Sequence, residues 1–134
     1  MGVDRSVLTV LLDAYEEQQV DGEQRVVLHL RPTLAPVKVA VMPLLRNRPE
    51  LVELGQRLAA DLKLRVAATY DDTASIGKLY RRQDEIGTPF CVTVDVETLA
   101  DGAATIRERD SMTQERVALS ALPDRLSELV SPRA

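Results

Sequence analysis

Four charged residues, Lys78, Arg81, Arg82 and Glu85, stand at spacings i, i+3, i+4 and i+7. That spacing puts them on one face of a helix, with Ile76, Leu79 and Tyr80 on the opposing face. The charged face sets cationic donors beside a carboxylate acceptor. It could therefore hydrogen-bond an RNA base whose edge carries both kinds of group. It could equally be the wet side of a helix, with Arg81 and Glu85 as an i,i+4 pair contributing about 0.3–0.5 kcal/mol. Arg107 and Arg109 alternate along a strand pattern and so share a sheet face. There they could hold phosphates or pair with Glu108 neighbours across the sheet. Phe90 and Tyr80 are candidate stacking platforms, where a base on an aromatic ring gains about 1–3 kcal/mol. A core would also use both positions, Tyr80 more readily than Phe90. Asp71 and Asp72 could accept a base amino group, but a turn ahead of Ser75 is the better reading.

Other chemistry finds little support. His29 is the lone histidine and has no serine or cysteine near it in sequence. A strand histidine satisfied by a backbone group fits better than a catalytic base. Cys91, the single cysteine, excludes an internal disulfide and a cysteine zinc cage, and it reads as a small core residue. Gly77 and Gly87 lack the Lys-Ser/Thr ending of a phosphate loop, and no dinucleotide fingerprint occurs. The expectation is no nucleophile and no metal site. A net charge of −4 repels nucleic acid at long range, so any RNA contact must come from a local basic patch. No apolar run approaches the roughly 20 residues that span a bilayer. Met1-Gly2-Val3-Asp4-Arg5 also lacks the features of a secretory leader. A soluble, cytoplasmic chain is expected.

The elements that must hold these side chains follow from the hydrophobic pattern. With 134 residues, 45% of them apolar, the chain can bury the core of one domain plus a short appendage. Aromatics are 3%, so that core must be Val, Leu, Ile and Ala. Val7, Leu8, Leu11, Leu12 and Tyr15 predict a helix over Val3 to Gln19, stopped at Asp21-Gly22. Arg25 to Leu30 reads as a strand. The prolines of Arg31-Pro32-Thr33-Leu34-Ala35-Pro36 predict an extended linker, dividing an appendage, 1–33, from a domain, 34–134. Strands are expected at Val37 to Met42, Leu64 to Ala68 and Phe90 to Val96. One helix starts near Pro49 with the stripe Leu51, Leu54, Leu58 and Leu62. A second is capped by Ser75 and closed by Gly87. Asp101-Gly102 predicts a hairpin into Ala104 to Arg109. Another turn at Asp110-Ser111 leads to a strand around Glu115 to Leu119, and Pro123 opens a last helix. The order βαβαβ, two hairpin strands, then a helix predicts an α/β fold with a five-stranded mixed sheet flanked by helices.

Three segments carry a resemblance that the pattern alone does not. They are Leu34 to Val41 (LAPVKVAV), Tyr70 to Asp95 (YDDTASIGKLYRRQDEIGTPFCVTVD) and Thr105 to Met112 (TIRERDSM). From Leu34 to Thr113 the chain resembles the glycyl-tRNA synthetase family of class II synthetases, in its C-terminal anticodon-binding domain. Gly2-Val3-Asp4-Arg5 is similar to the third class II signature, whose arginine contacts ATP. The resemblance implies that residues 1–33 are a remnant of a catalytic domain and that Arg5 would bind ATP in a parent enzyme. It implies a parent ligase that uses ATP and Mg²⁺ to join glycine to its tRNA and works as a homodimer. This chain alone would have no aminoacylation activity and no cofactor. Glycine anticodons end in two cytosines, and a cytosine edge needs a carboxylate or carbonyl beside an Arg or Lys. The anticodon contacts expected on this basis are Lys78, Arg81, Arg82, Asp84, Glu85, Phe90, Arg107 and Arg109. Two other readings stay open: an accessory or dimerisation module on the same fold, and a small-ligand binder at the ends of the parallel strands.

Overall fold

The computed structural model describes residues 11–20 and 22–131. Strand β1 (Tyr15–Val20) pairs antiparallel with β2 (Glu23–Leu28). Gly22 in the connecting turn has φ 79°, where a side chain would be strained. A two-stranded hairpin thus replaces the expected helix over Tyr15 to Gln19, while Leu11 to Ala14 are helical as expected. The expected start of that helix, and Arg5, lie outside the described residues.

Five more strands form one sheet. They are β3 (Val39–Pro43), β4 (Ala68–Tyr70), β5 (Phe90–Val94), β6 (Ala103–Glu108) and β7 (Gln114–Ala118), in the order β4-β3-β5-β6-β7. β3 runs parallel to both β4 and β5, whereas β5–β6 and β6–β7 are antiparallel. This is the expected mixed sheet. The parallel pairs are joined by helices α1 (Pro49–Leu62) and α2 (Ile76–Ile86), and α4 (Leu122–Val130) closes the chain. A short helix, α3 (Val96–Asp101), stands where a plain hairpin turn was expected. Its capping box explains it: Asp95 accepts from the Thr98 amide while the Thr98 hydroxyl accepts from the Asp95 amide. The expected extended linker is instead a turn, in which the amides of Leu34 and Ala35 both donate to the Arg31 carbonyl.

Alternation along the strands divides the buried residues between two faces. Val39, Val41, Phe90, Val92, Val94, Ala104 and Ile106 pack with Leu51, Leu58 and Leu62 of α1 and Leu122 and Leu126 of α4. Ala40, Met42 and Cys91 face the other way, against Leu79 of α2. Burial pushes the Cys91 thiol up to about 12, which leaves it the inert core residue expected.

Candidate nucleic-acid interface

Helix α2 carries the charged stripe, and its ends are set by local chemistry. Ser75 occupies the position before its first turn in extended geometry, though its side chain makes no capping bond. Gly87 ends the helix in the left-handed region at φ 83°, with its amide turned back to the carbonyls of Asp84 and Gln83. A Cβ there would meet Leu30 Cδ1 at 2.8 Å and the Leu28 carbonyl oxygen at 3.1 Å. Gly87 is therefore required twice, for the turn and for the close approach of the hairpin.

The stripe itself is accessible. Lys78, Arg82 and Glu85 are exposed, and the Arg81 side chain is 31% exposed. Arg82 Nη1 donates to Asp71 Oδ2 at 2.5 Å and to Thr73 Oγ1 at 2.7 Å, tying the helix to the loop after β4. Asp71 also accepts from the Thr73 amide at 3.0 Å, so the turn reading of Asp71 holds. Burial acts to raise the Asp71 carboxyl, but the hydrogen bonds from Thr73 and Arg82 outweigh it and hold the group below its ordinary value. Asp72 accepts from the Tyr70 hydroxyl at 3.0 Å. Arg81 leans toward Asp84 at 3.9 Å and is not paired with Glu85.

Four other expected contact residues are buried, and for them the structure corrects the sequence reading. Asp84 is 0% exposed. Its Oδ2 accepts from Arg25 Nε at 2.8 Å and its Oδ1 from Arg107 Nη1 at 3.2 Å. Each oxygen accepts from a guanidinium group and the side chain is sealed from solvent, so no base amino group can reach it. Arg107 also lies over the Tyr80 ring, 4.6 Å from its centroid. Arg109 donates from Nη1 to the Gly87 carbonyl at 2.8 Å and from Nη2 to the Leu30 carbonyl at 2.7 Å. Its Nε donates to Asp110 at 2.8 Å. The two arginines do share one side of the sheet, where the donors named are spent on Asp84, Asp110 and the carbonyls of Gly87 and Leu30. Phe90 is a core residue in the cluster with α4, and Tyr80 is half-buried with its hydroxyl 2.6 Å from Thr93 Oγ1.

Sequence reasoning missed Arg25. It is fully buried in β2, and besides Asp84 its Nη1 donates to Gln18 Oε1 at 2.7 Å. The only signal for it was an arginine at the start of a strand pattern whose following residues, Val26 to Leu28, are apolar. His29, expected to be satisfied by a backbone group, sits between two carboxylates. Its Nδ1 is 2.5 Å from Asp110 Oδ1 and its Nε2 is 2.7 Å from Glu16 Oε2. Among the described residues no group of three His, Cys, Asp or Glu side chains could hold a metal ion.

A sheet carrying an accessible mixed-charge helix beside a buried arginine layer is what comparison with known proteins must explain. The model of the anticodon binding domain matches residues 38–129. The chain belongs to that family. The match spans the whole five-stranded sheet with α1, α2, α3 and most of α4, and leaves the β1–β2 hairpin outside. Relatives of this anticodon binding domain chain extend further. A glycine–tRNA ligase of Thermobifida fusca is 53% identical over 132 residues, 95% of this chain and 28% of that protein. Glycine–tRNA ligases of Chlorobaculum tepidum and Streptomyces coelicolor are 55% and 54% identical over 89% and 90% of this chain. The chain spans about a quarter of the length of the curated relatives it matches.

Proposed function

We propose that the chain is the anticodon-recognition module of a glycine–tRNA ligase and that it binds the anticodon arm of glycine tRNA. The observation that carries this reading is the family match over residues 38–129 together with about half identity to glycine–tRNA ligases over nearly the whole chain. The accessible face of α2 supplies what cytosine edges need: Lys78, Arg81 and Arg82 for the ring acceptors and Glu85 for the amino group. Activation of glycine with ATP and Mg²⁺ and its transfer to tRNA are assigned to a catalytic domain in cis or in complex, so the chain by itself has no aminoacylation activity. Residues 1–33 belong with that catalytic domain, residues 34–134 form the recognition domain, and Arg5 is the ATP contact. The intact enzyme is a homodimer that works in the cytoplasm; no helix among the described residues is long and apolar enough to cross a membrane.

The test is a titration of the chain with an anticodon stem-loop carrying the two cytosines, against one with both replaced. Tighter binding of the first is expected, and charge reversal at Arg81 and Arg82 should weaken it. Equal affinity for the two stem-loops refutes specific reading.

A further inference from the structure

Arg25 reaches the RNA-facing helix from a hairpin outside the matched family stretch, and its contacts bear on a residue it does not touch. Asp84 lies on the inner side of α2 with Arg25 Nε on Oδ2 at 2.8 Å and Arg107 Nη1 on Oδ1 at 3.2 Å. Arg81, one turn earlier on the same helix, has its Nη1 3.9 Å from that same Oδ2, outside hydrogen-bond range. A buried carboxylate oxygen takes the nearest cationic donor available, because an unpaired charge in a low dielectric is costly. Arg25 fills that demand. Its other donors are anchored on Gln18 Oε1 at 2.7 Å and the Arg109 carbonyl at 2.5 Å, so it is held in place from three sides.

We propose that Arg25 is a positioning residue for RNA binding: by pairing directly with Asp84 Oδ2 it holds the Arg81 guanidinium at 3.9 Å, short of a hydrogen bond to that oxygen and available to the anticodon. This rests on the reading of that face as the RNA-binding surface. Without Arg25, Arg81 turns inward onto Asp84 and the face loses one of its cations, although Arg25 itself is sealed from solvent and never meets RNA. A hairpin that precedes the recognition domain thereby sets how many cations the domain presents.

The experiment is a double-mutant cycle on the full chain, read as affinity for the two-cytosine stem-loop. Arg25→Met should weaken binding roughly tenfold, the effect of losing one charged hydrogen bond. Arg81→Ala should weaken it similarly, and Arg25→Met added to Arg81→Ala should cost no further affinity. Arg25→Met with Asp84→Asn should bind nearly as wild type, because an amide keeps an acceptor for Arg107 without recruiting Arg81. Each variant is titrated at a temperature where circular dichroism shows it folded. Additive losses in the cycle, or no recovery in the Asn variant, overturn the proposal. A nitrogen-15 arginine side-chain spectrum without RNA reads the same event. Arg25→Met should give a new slowly exchanging guanidinium signal that disappears when Arg81→Ala is added, and its absence overturns the proposal. A wild-type chain that does not distinguish the two stem-loops would refute anticodon reading, while the spectrum would still decide the swing of Arg81.

Discussion

The two sides of the five-stranded sheet are built from different materials. Between the sheet and helices α1 and α4 the buried side chains are Val, Leu, Ile, Ala and one Phe. On the α2 side a small apolar group, Ala40, Met42, Leu79 and Cys91, gives way to buried Arg25, Asp84, Arg107 and Arg109. Apolar contact is non-directional, so the α1 and α4 side holds the domain together with little regard to which way each side chain points. The arginine layer is directional: Arg25 and Arg109 each donate from all three guanidinium nitrogens, and Arg107 donates from Nη1 to Asp84. It fixes the angle at which α2 and the hairpin meet the sheet. Apolar packing and the presentation of the charged helix are thus carried on opposite faces, while both faces contribute stability.

Breaking the polar side at its centre should have the largest effect. Asp84→Ala leaves Arg25 and Arg107 buried without their carboxylate, and a loss of about 3–5 kcal/mol is expected by denaturant titration. Replacing Arg25, Asp84 and Arg107 together by Met, Leu and Met should recover most of that stability, and with no carboxylate left to draw Arg81 inward it should leave RNA affinity near wild type. On the apolar side, Leu51→Ala should cost about 2–5 kcal/mol in the same titration. The protein that remains folded should bind the stem-loop as wild type does. Gly87→Ala comes next: the left-handed φ and the contact with Leu30 predict about 1–3 kcal/mol, with the hairpin displaced. The smallest effect is on pH. Burial would raise the Asp110 carboxyl, but hydrogen bonds from Arg109 and His29 lower it below its ordinary value. Its contribution to stability is therefore complete above the unfolded carboxylate pKa, about 4, and is lost as pH falls through the depressed folded value. Unfolding midpoints measured from pH 6 to pH 2 should fall less steeply for Asp110→Asn than for wild type.

The apolar face was legible because its signal is local. The Leu51, Leu54, Leu58, Leu62 stripe and the Val-rich strands declare helix and strand within a few residues. The hairpin was not. Glu16, Glu17, Gln18 and Gln19 are good helix formers following Leu11 and Leu12 at helical spacing, and only pairing with β2 across Gly22 overrides that preference. Helix α3 could have been found, since Asp95 and Thr98 form a capping box in sequence, but the Asp101-Gly102 turn signal masked it. Of the candidate site, the accessible stripe Lys78, Arg81, Arg82 and Glu85 came from helical period alone. The burial of Asp84, Arg107 and Arg109 could not be read that way. It depends on Arg25, which meets Asp84 across 59 positions of sequence, and charged residues are expected outside unless such a partner is known.

The hairpin shares no ladder bond with the five-stranded sheet, because β1 and β2 pair only with each other. Peeling it away would cost side-chain ion pairs and the Gly87 contact while every backbone bond of the sheet stayed closed. The hairpin is thereby a separate opening unit, whose amides should exchange with deuterium ahead of those in β3, β5 and β6.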